Sequence, residues 1–126
     1  MYTAILLNAT DQARLLNMVY EHIPEGWRVF LHHVTLNMGP ITKGVNPESL
    51  LDTEIKFTVD AFGMDDKVCA VRVSDLGVAR SSNKVPHVTI AVDQANGGKP
   101  FMSNEIQMWV PLGPEVFSGK VMEIGQ

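Results

Sequence analysis

"FLHHVTLNMG" (Phe30–Gly39) decides how this chain is read, because its central frame returns in "VPHVTIAVDQ" (Val85–Gln94). Both stretches carry His-Val-Thr followed by an aliphatic residue, at His33–Leu36 and at His87–Ile90. The chain has only four histidines, and two of them occupy this frame. Strand composition accounts for the Val, Thr and Ile; it does not account for the His. In a strand, residues i and i+2 point to the same face. His33 therefore projects with Thr35, and His87 with Thr89. The frame occurs once in each half of the chain, which predicts two related strands facing each other across a cleft.

Working outward, "YTAILLN" (Tyr2–Asn8) has the length and apolar content of a strand. Asn8 or Thr10 can cap a helix running to about Glu21, with Leu15, Leu16, Val19 and Ile23 at helical spacing. "PEG" at Pro24–Gly26 turns the chain. Trp27–Met38 reads as one strand. Its alternation sets Val29, Leu31, His33 and Thr35 on one side, and Arg28, Phe30, His32, Val34 and Leu36 on the other. A polar loop follows to about Asp52. Two strands, Glu54–Phe62 and Lys67–Ser74, are then joined by a turn at "GMDD". Val85–Asp93 is the next strand, with Pro86 at its start or at an edge. A Gly-Gly turn leads to a short helix near Pro100. "IQMWVPL" and "FSGKVMEI" close the chain as two further strands. The order predicts an α+β fold dominated by antiparallel sheet, with one or two helices.

The 126 residues suffice for a single domain, 1–126, with its own core. No apolar run approaches the length of a membrane span, and the N-terminus lacks the features of a signal peptide. The one cysteine, Cys69, sits in an apolar strand-like run and reads as a buried inert thiol. These features suit a reducing, cytoplasmic setting. Ten basic against 14 acidic residues give a net charge of −4. That argues against a protein that wraps long duplex nucleic acid. A phosphate ligand would be a nucleotide or a strand end met by local cations. Arg80, Lys84 and Lys99 flank the second motif and are the candidates for phosphate contact, with Arg72 in the strand before it.

Two imidazoles and two hydroxyls on facing strands form a useful set for phosphodiester chemistry. Imidazole titrates near neutrality, so one ring can take a proton while the other gives one. The hydroxyls can hold non-bridging phosphate oxygens. No metal or cofactor is required. The paired motifs "HVTL" and "HVTI" resemble the defining pattern of the two-histidine phosphoesterase superfamily, which includes the cyclic phosphodiesterases, the ligT-like proteins and the cyclic phosphodiesterase domains of tRNA ligases. The Gly-rich turn and Ser103–Asn104 after the second motif look more like the tRNA-ligase branch. The resemblance implies a bilobal fold with the site in a groove between lobes, and action on 2′,3′-cyclic phosphates or related RNA-derived diesters. It implies that His33 and His87 are general acid and base, in an order the sequence leaves open, and that Thr35 and Thr89 bind phosphate. The chain is shorter than many relatives, so the loops that select substrate are not identified.

Other readings of the same residues stand beside this one. The groove could bind a nucleotide or RNA end without turning it over, or the enzyme could destroy a cyclic nucleotide signal. The motifs could also be strand packing in a partner-binding protein, with both histidines buried and far apart. On the alternation, His32 points away from His33 and serves at the surface or core edge. His22, at a helix C-terminus, reads as structural. The histidines have no H-x-x-x-H or H-E-x-x-H spacing for zinc. Tyr2, Phe30, Phe101 and Trp109 could stack on a base, although such residues are more often core.

Overall fold

The chain's first turn is set by Asn8, which ends strand β1 (Tyr2–Leu7) and caps helix α1 (Ala9–Val19). The Asp11 N–H donates to Asn8 Oδ1 at 2.8 Å, satisfying one of the free donors of the first turn. Asp11 in turn anchors the helix to a distant strand. Its carboxylate accepts from the Ser118 N–H at 2.7 Å and from Arg14 at 2.8 Å. The helix buries Leu15 and Val19 against the core, and Leu16 and Ile23 pack at the edge of the same cluster. In a computed structural model, which describes residues 1–125, α1 is the α-helix and the rest is strand, loop and short 3₁₀ turns.

The remaining strands are β2 (Arg28–Val29), β3 (His33–Met38), β4 (Glu54–Met64), β5 (Val68–Asp75), β6 (His87–Val92) and β7 (Trp109–Ile124). Every pairing is antiparallel. The order is β2-β6-β3-β1-β7-β4-β5, and β5 also pairs with β6. That extra pairing closes β6, β3, β1, β7, β4 and β5 into a six-stranded barrel, which removes the exposed edges an open sheet would carry. The expected α+β class and antiparallel sheet are therefore observed. Alternation fills the barrel: Ile55, Phe57 and Val59 of β4 are buried, while Lys56 is exposed and Thr58 and Asp60 are half-buried. Phe57 and Phe117 meet inside, with ring centroids 6.2 Å apart, and each is 1% exposed. Such burial contributes about 2–3 kcal/mol per side chain.

Two strand boundaries differ from the sequence reading. The expected pair of C-terminal strands is one 16-residue strand, β7. It runs on through Pro111 because its first half pairs only with β4, and past Pro114 in a bulge where Leu112–Pro114 face Asp60 alone; β1 pairs with Gly119–Ile124. A proline on an unpaired edge removes no ladder bond. The second difference lies in the expected strand Trp27–Met38, which breaks at Phe30–His32. Arg28 pairs with Val92 and Val29 with Ala91, but Val34 pairs with Val88. Residues 30–33 thus face only residues 89–90, a two-residue bulge. Leu31 takes φ +51° there, a left-handed conformation costing a β-carbon residue about 1–2 kcal/mol. Its side chain is only 4% exposed and joins the core, which offsets that cost. Pro86 stands just before β6, and β6 is an interior strand with neighbours on both sides.

Candidate active site

The two repeated frames lie on neighbouring strands, β3 and β6, each with two residues turned to the core. Val34 and Leu36 of β3, and Val88 and Ile90 of β6, are all buried in the main core cluster. Alternation then sends His33, Thr35, His87 and Thr89 out through the opposite face of the sheet. β3 and β6 pair at a single position, Val34 with Val88. Beyond it β3 is held by the loop before β6: Ser82 N–H donates to Leu36 O at 2.7 Å, and Ser81 Oγ to Thr35 O at 2.7 Å. A cavity of about 660 Å³ opens over this junction, and all four motif residues line it. That volume lies in the range of small-molecule and cofactor sites.

The cavity has an aromatic and apolar rim. Tyr2, Phe30, Phe101 and Met38 contribute to its wall, and the Tyr2 ring lies 4.8 Å from that of His33. Phe101 is 62% exposed. It is held at the edge by the 3₁₀ turn Pro100–Glu105, which packs Met102 and Ile106 against the outer faces of Val68, Ala70 and Val92. The same turn brings buried Ser103 to 2.8 Å from Thr89 Oγ1. Gly97, at φ +86°, makes the reversal that leads into it. Trp109 packs in that cluster and does not line the cavity.

The imidazoles differ in their partners. His87 is 7% exposed, and its Nδ1 lies 2.8 Å from the Val85 carbonyl oxygen. A carbonyl can only accept, so Nδ1 carries the proton and Nε2 is the basic atom of the neutral ring. Burial holds its pKa below the ordinary imidazole value, partly opposed by that hydrogen bond. His33 is pushed down to about 4, first by burial and then by the charges of His32 and His87. His33 is therefore neutral at pH 7 in the free protein, and burial favours the neutral form of His87.

His32 departs from the expected alternation. Regular alternation placed it on the face opposite His33. The bulge and the left-handed Leu31 reverse that phase: Leu31 goes to the core, and His32 and His33 both line the cavity. Their Nδ1 atoms are 3.0 Å apart. His22 packs its ring 5.3 Å from Phe62, remote from this cavity.

The flanking cations fall elsewhere. Arg80 and Lys84 line a second, more open pocket of about 510 Å³, which shares Asn83 with the first. The Arg80 guanidinium donates to the carbonyls of Gly77 and Ala79 at 3.0 and 2.9 Å. Lys99 is exposed just before Pro100 and is not among the cavity-lining residues. Arg72 is the cross-strand partner of His87, and its Nε donates to Asp60 at 2.9 Å. Among the described residues, no Lys or Arg lines the histidine cavity, and no group of three His, Cys, Asp or Glu side chains is placed to hold a metal. Asn83, which the sequence reading does not single out, and Asn104 line the cavity, and Ser103 lies behind Thr89; Ser103–Asn104 enter the sequence reading only through the resemblance. Cys69 is buried, with its thiol pushed up to about 12 by burial.

A barrel that turns two His-x-Thr frames into one cavity defines a two-histidine phosphoesterase type of domain. The chain belongs to the family described as the fungal tRNA ligase phosphodiesterase domain, whose sequence profile matches residues 17–123. No curated protein and no solved structure matches the chain significantly. No helix among the described residues is long and apolar enough to cross a membrane.

Proposed function

We propose that residues 1–126 form one two-histidine phosphoesterase domain that opens a 2′,3′-cyclic phosphate at an RNA end or on a nucleotide, without a metal. The observation that carries this reading is the convergence of His33, Thr35, His87 and Thr89 on one cavity. Family membership supports a phosphodiesterase that acts on RNA ends. In this reading the bilobal groove that the resemblance implies is represented by the cavity over the β3–β6 junction, where neighbouring strands of one barrel each supply one motif. The exposed Phe101 and the neighbouring Phe30 offer faces on which a base can stack. The work is suited to a cytoplasmic protein.

The chemistry follows from the two rings. One neutral imidazole takes a proton from water as its oxygen attacks phosphorus. The P–O bond to one ribose oxygen breaks, and the other imidazole, protonated, gives its proton to that oxygen. The product is a phosphate monoester on the remaining ribose oxygen, and the two rings have exchanged protonation states. The Thr35 and Thr89 hydroxyls donate to non-bridging oxygens and keep the phosphorus in line with the attacking water. A bound phosphate anion raises both imidazole pKa values, so it supplies the protonated ring that the free site lacks at neutral pH.

The test uses purified protein in EDTA with the four nucleoside 2′,3′-cyclic monophosphates and a short RNA bearing a 2′,3′-cyclic end. Products are followed by phosphorus NMR, beside His33→Ala and His87→Ala. Ring opening by the wild type alone is the expected result, and the product isomer identifies the bond broken. Binding without turnover would replace this reading with a nucleotide or RNA-end binding module. Turnover confined to larger cyclic nucleotides would replace it with a signal-degrading enzyme.

A further inference from the structure

The histidine beside the first motif has no counterpart in the second. Position 86 before His87 is proline, whereas position 32 before His33 is a second imidazole. The bulge of residues 30–33 aims both rings into the cavity. The two Nδ1 atoms are 3.0 Å apart, within hydrogen-bond distance, and the rings are nearly perpendicular at 86°. Two imidazole nitrogens at this separation must share a single proton. Two lone pairs, or two N–H groups, would repel each other.

We propose that His32 is a positioning residue for His33: its unprotonated Nδ1 accepts the Nδ1–H of His33 and leaves His33 Nε2 as the atom presented to substrate. This deepens the phosphodiesterase reading and rests on it. The direction of the bond follows from what His33 must do. When His33 carries a second proton, that proton sits on Nε2, and its Nδ1–H still donates to His32 Nδ1. In the opposite arrangement, protonating His33 would place two N–H groups face to face and break the bond. His32 therefore serves the first motif as the Val85 carbonyl serves the second. The remaining titratable groups around His33 are Tyr2, whose ring packs 4.8 Å away, and His87 across the cavity. Neither has a hydrogen bond to His33 Nδ1, which leaves His32 to fix the tautomer. His32 is exposed and His33 is half-buried, so the pair also has a solvent-facing end at which protons can be exchanged.

The test compares His32→Ala with His32→Asn, whose amide oxygen can accept from His33 without titrating. With a nucleoside 2′,3′-cyclic monophosphate, His32→Ala lowers kcat roughly tenfold to a hundredfold, the effect of losing a hydrogen bond to a charged group. KM stays nearly unchanged, because the bond acts on the reacting proton rather than on binding. His32→Asn restores most of kcat. In the ligand-free protein, imidazole nitrogen NMR finds neutral His33 protonated at Nδ1 in the wild type and in His32→Asn, and as a tautomer mixture in His32→Ala. A wild-type His33 protonated at Nε2 overturns the proposal, as does a His32→Ala protein with unchanged kcat. The NMR arm needs no turnover, so it decides the positioning role even if the protein proves not to hydrolyse these substrates.

Discussion

The two motif strands carry nearly the same tetrapeptide and put it in different settings. His87 lies in an interior strand, with its ring fixed by a backbone carbonyl. His33 lies at the end of a bulge, with its ring fixed by another titratable ring. The threonines differ too. Thr89 Oγ1 is engaged by Ser103 at 2.8 Å, while among the described residues no hydrogen bond occupies the Thr35 hydroxyl. Acid–base catalysis by two histidines needs the rings to hold different protonation states at one pH. Unequal surroundings decide which ring holds which state, and here the surroundings are unequal at every motif position that would touch substrate.

The largest effects should come from the rings themselves. His33→Ala and His87→Ala are each expected to lower turnover roughly a hundred- to ten-thousandfold with the circular dichroism spectrum intact. Full activity in either variant would end the division of labour. Next come the hydroxyls. Thr35→Val and Thr89→Val should each reduce kcat/KM about tenfold to a hundredfold. Only Thr89→Val should also lower the melting temperature, because it alone breaks a bond to buried Ser103; equal losses of stability would erase the contrast.

The pH dependence sharpens the comparison further. His33 has a folded pKa of about 4 and an unfolded one near 6.5, so between these values the unfolded chain binds more protons. Stability is full above pH 6.5 and falls as the pH drops through 4, by about 3 kcal/mol at most. Urea melts across this range should find the loss in the wild type and a flatter curve in His33→Gln. For catalysis, both rings of the free protein titrate below 6.5 as a coupled pair. The kcat/KM profile should therefore be a bell with its maximum below pH 6.5, and the kcat profile should lie at higher pH because bound phosphate raises both values. A kcat/KM maximum above pH 7 would contradict the burial of the two rings. The smallest effects belong to the flanking cations. Arg80→Gln, Lys84→Gln and Lys99→Gln should each change mononucleotide turnover by less than about threefold, as expected of exposed charges, since none of them lines the histidine cavity.

Much of the architecture was legible because local chemistry and tertiary need agreed. Asn8 as a cap, the alternation of Ile55, Phe57 and Val59, and the pairing of each His with its Thr all follow from periods that the backbone imposes. The failures occurred where a distant partner decided the matter. The sequence reading divides the C-terminal segment into two strands, yet β4 supplies a template along one edge and carries a single strand through, with a bulge at Leu112–Pro114. The His32 face was misassigned because alternation assumes an unbroken strand, and no residue in "RVFLHHV" announces a bulge. Leucine is a poor residue for positive φ.

The sequence by itself determined the antiparallel α+β class, the helix start and the four side chains of the repeated frame, because these depend on periodicity and capping within a few residues. Tertiary structure alone decided the closing of the barrel, the joining of β7, and the turn of His32 toward His33. Those outcomes depend on register between strands that are far apart in the chain, where a two-residue mismatch between residues 30–33 and 89–90 redirects a ring and changes what its neighbour can do with a proton.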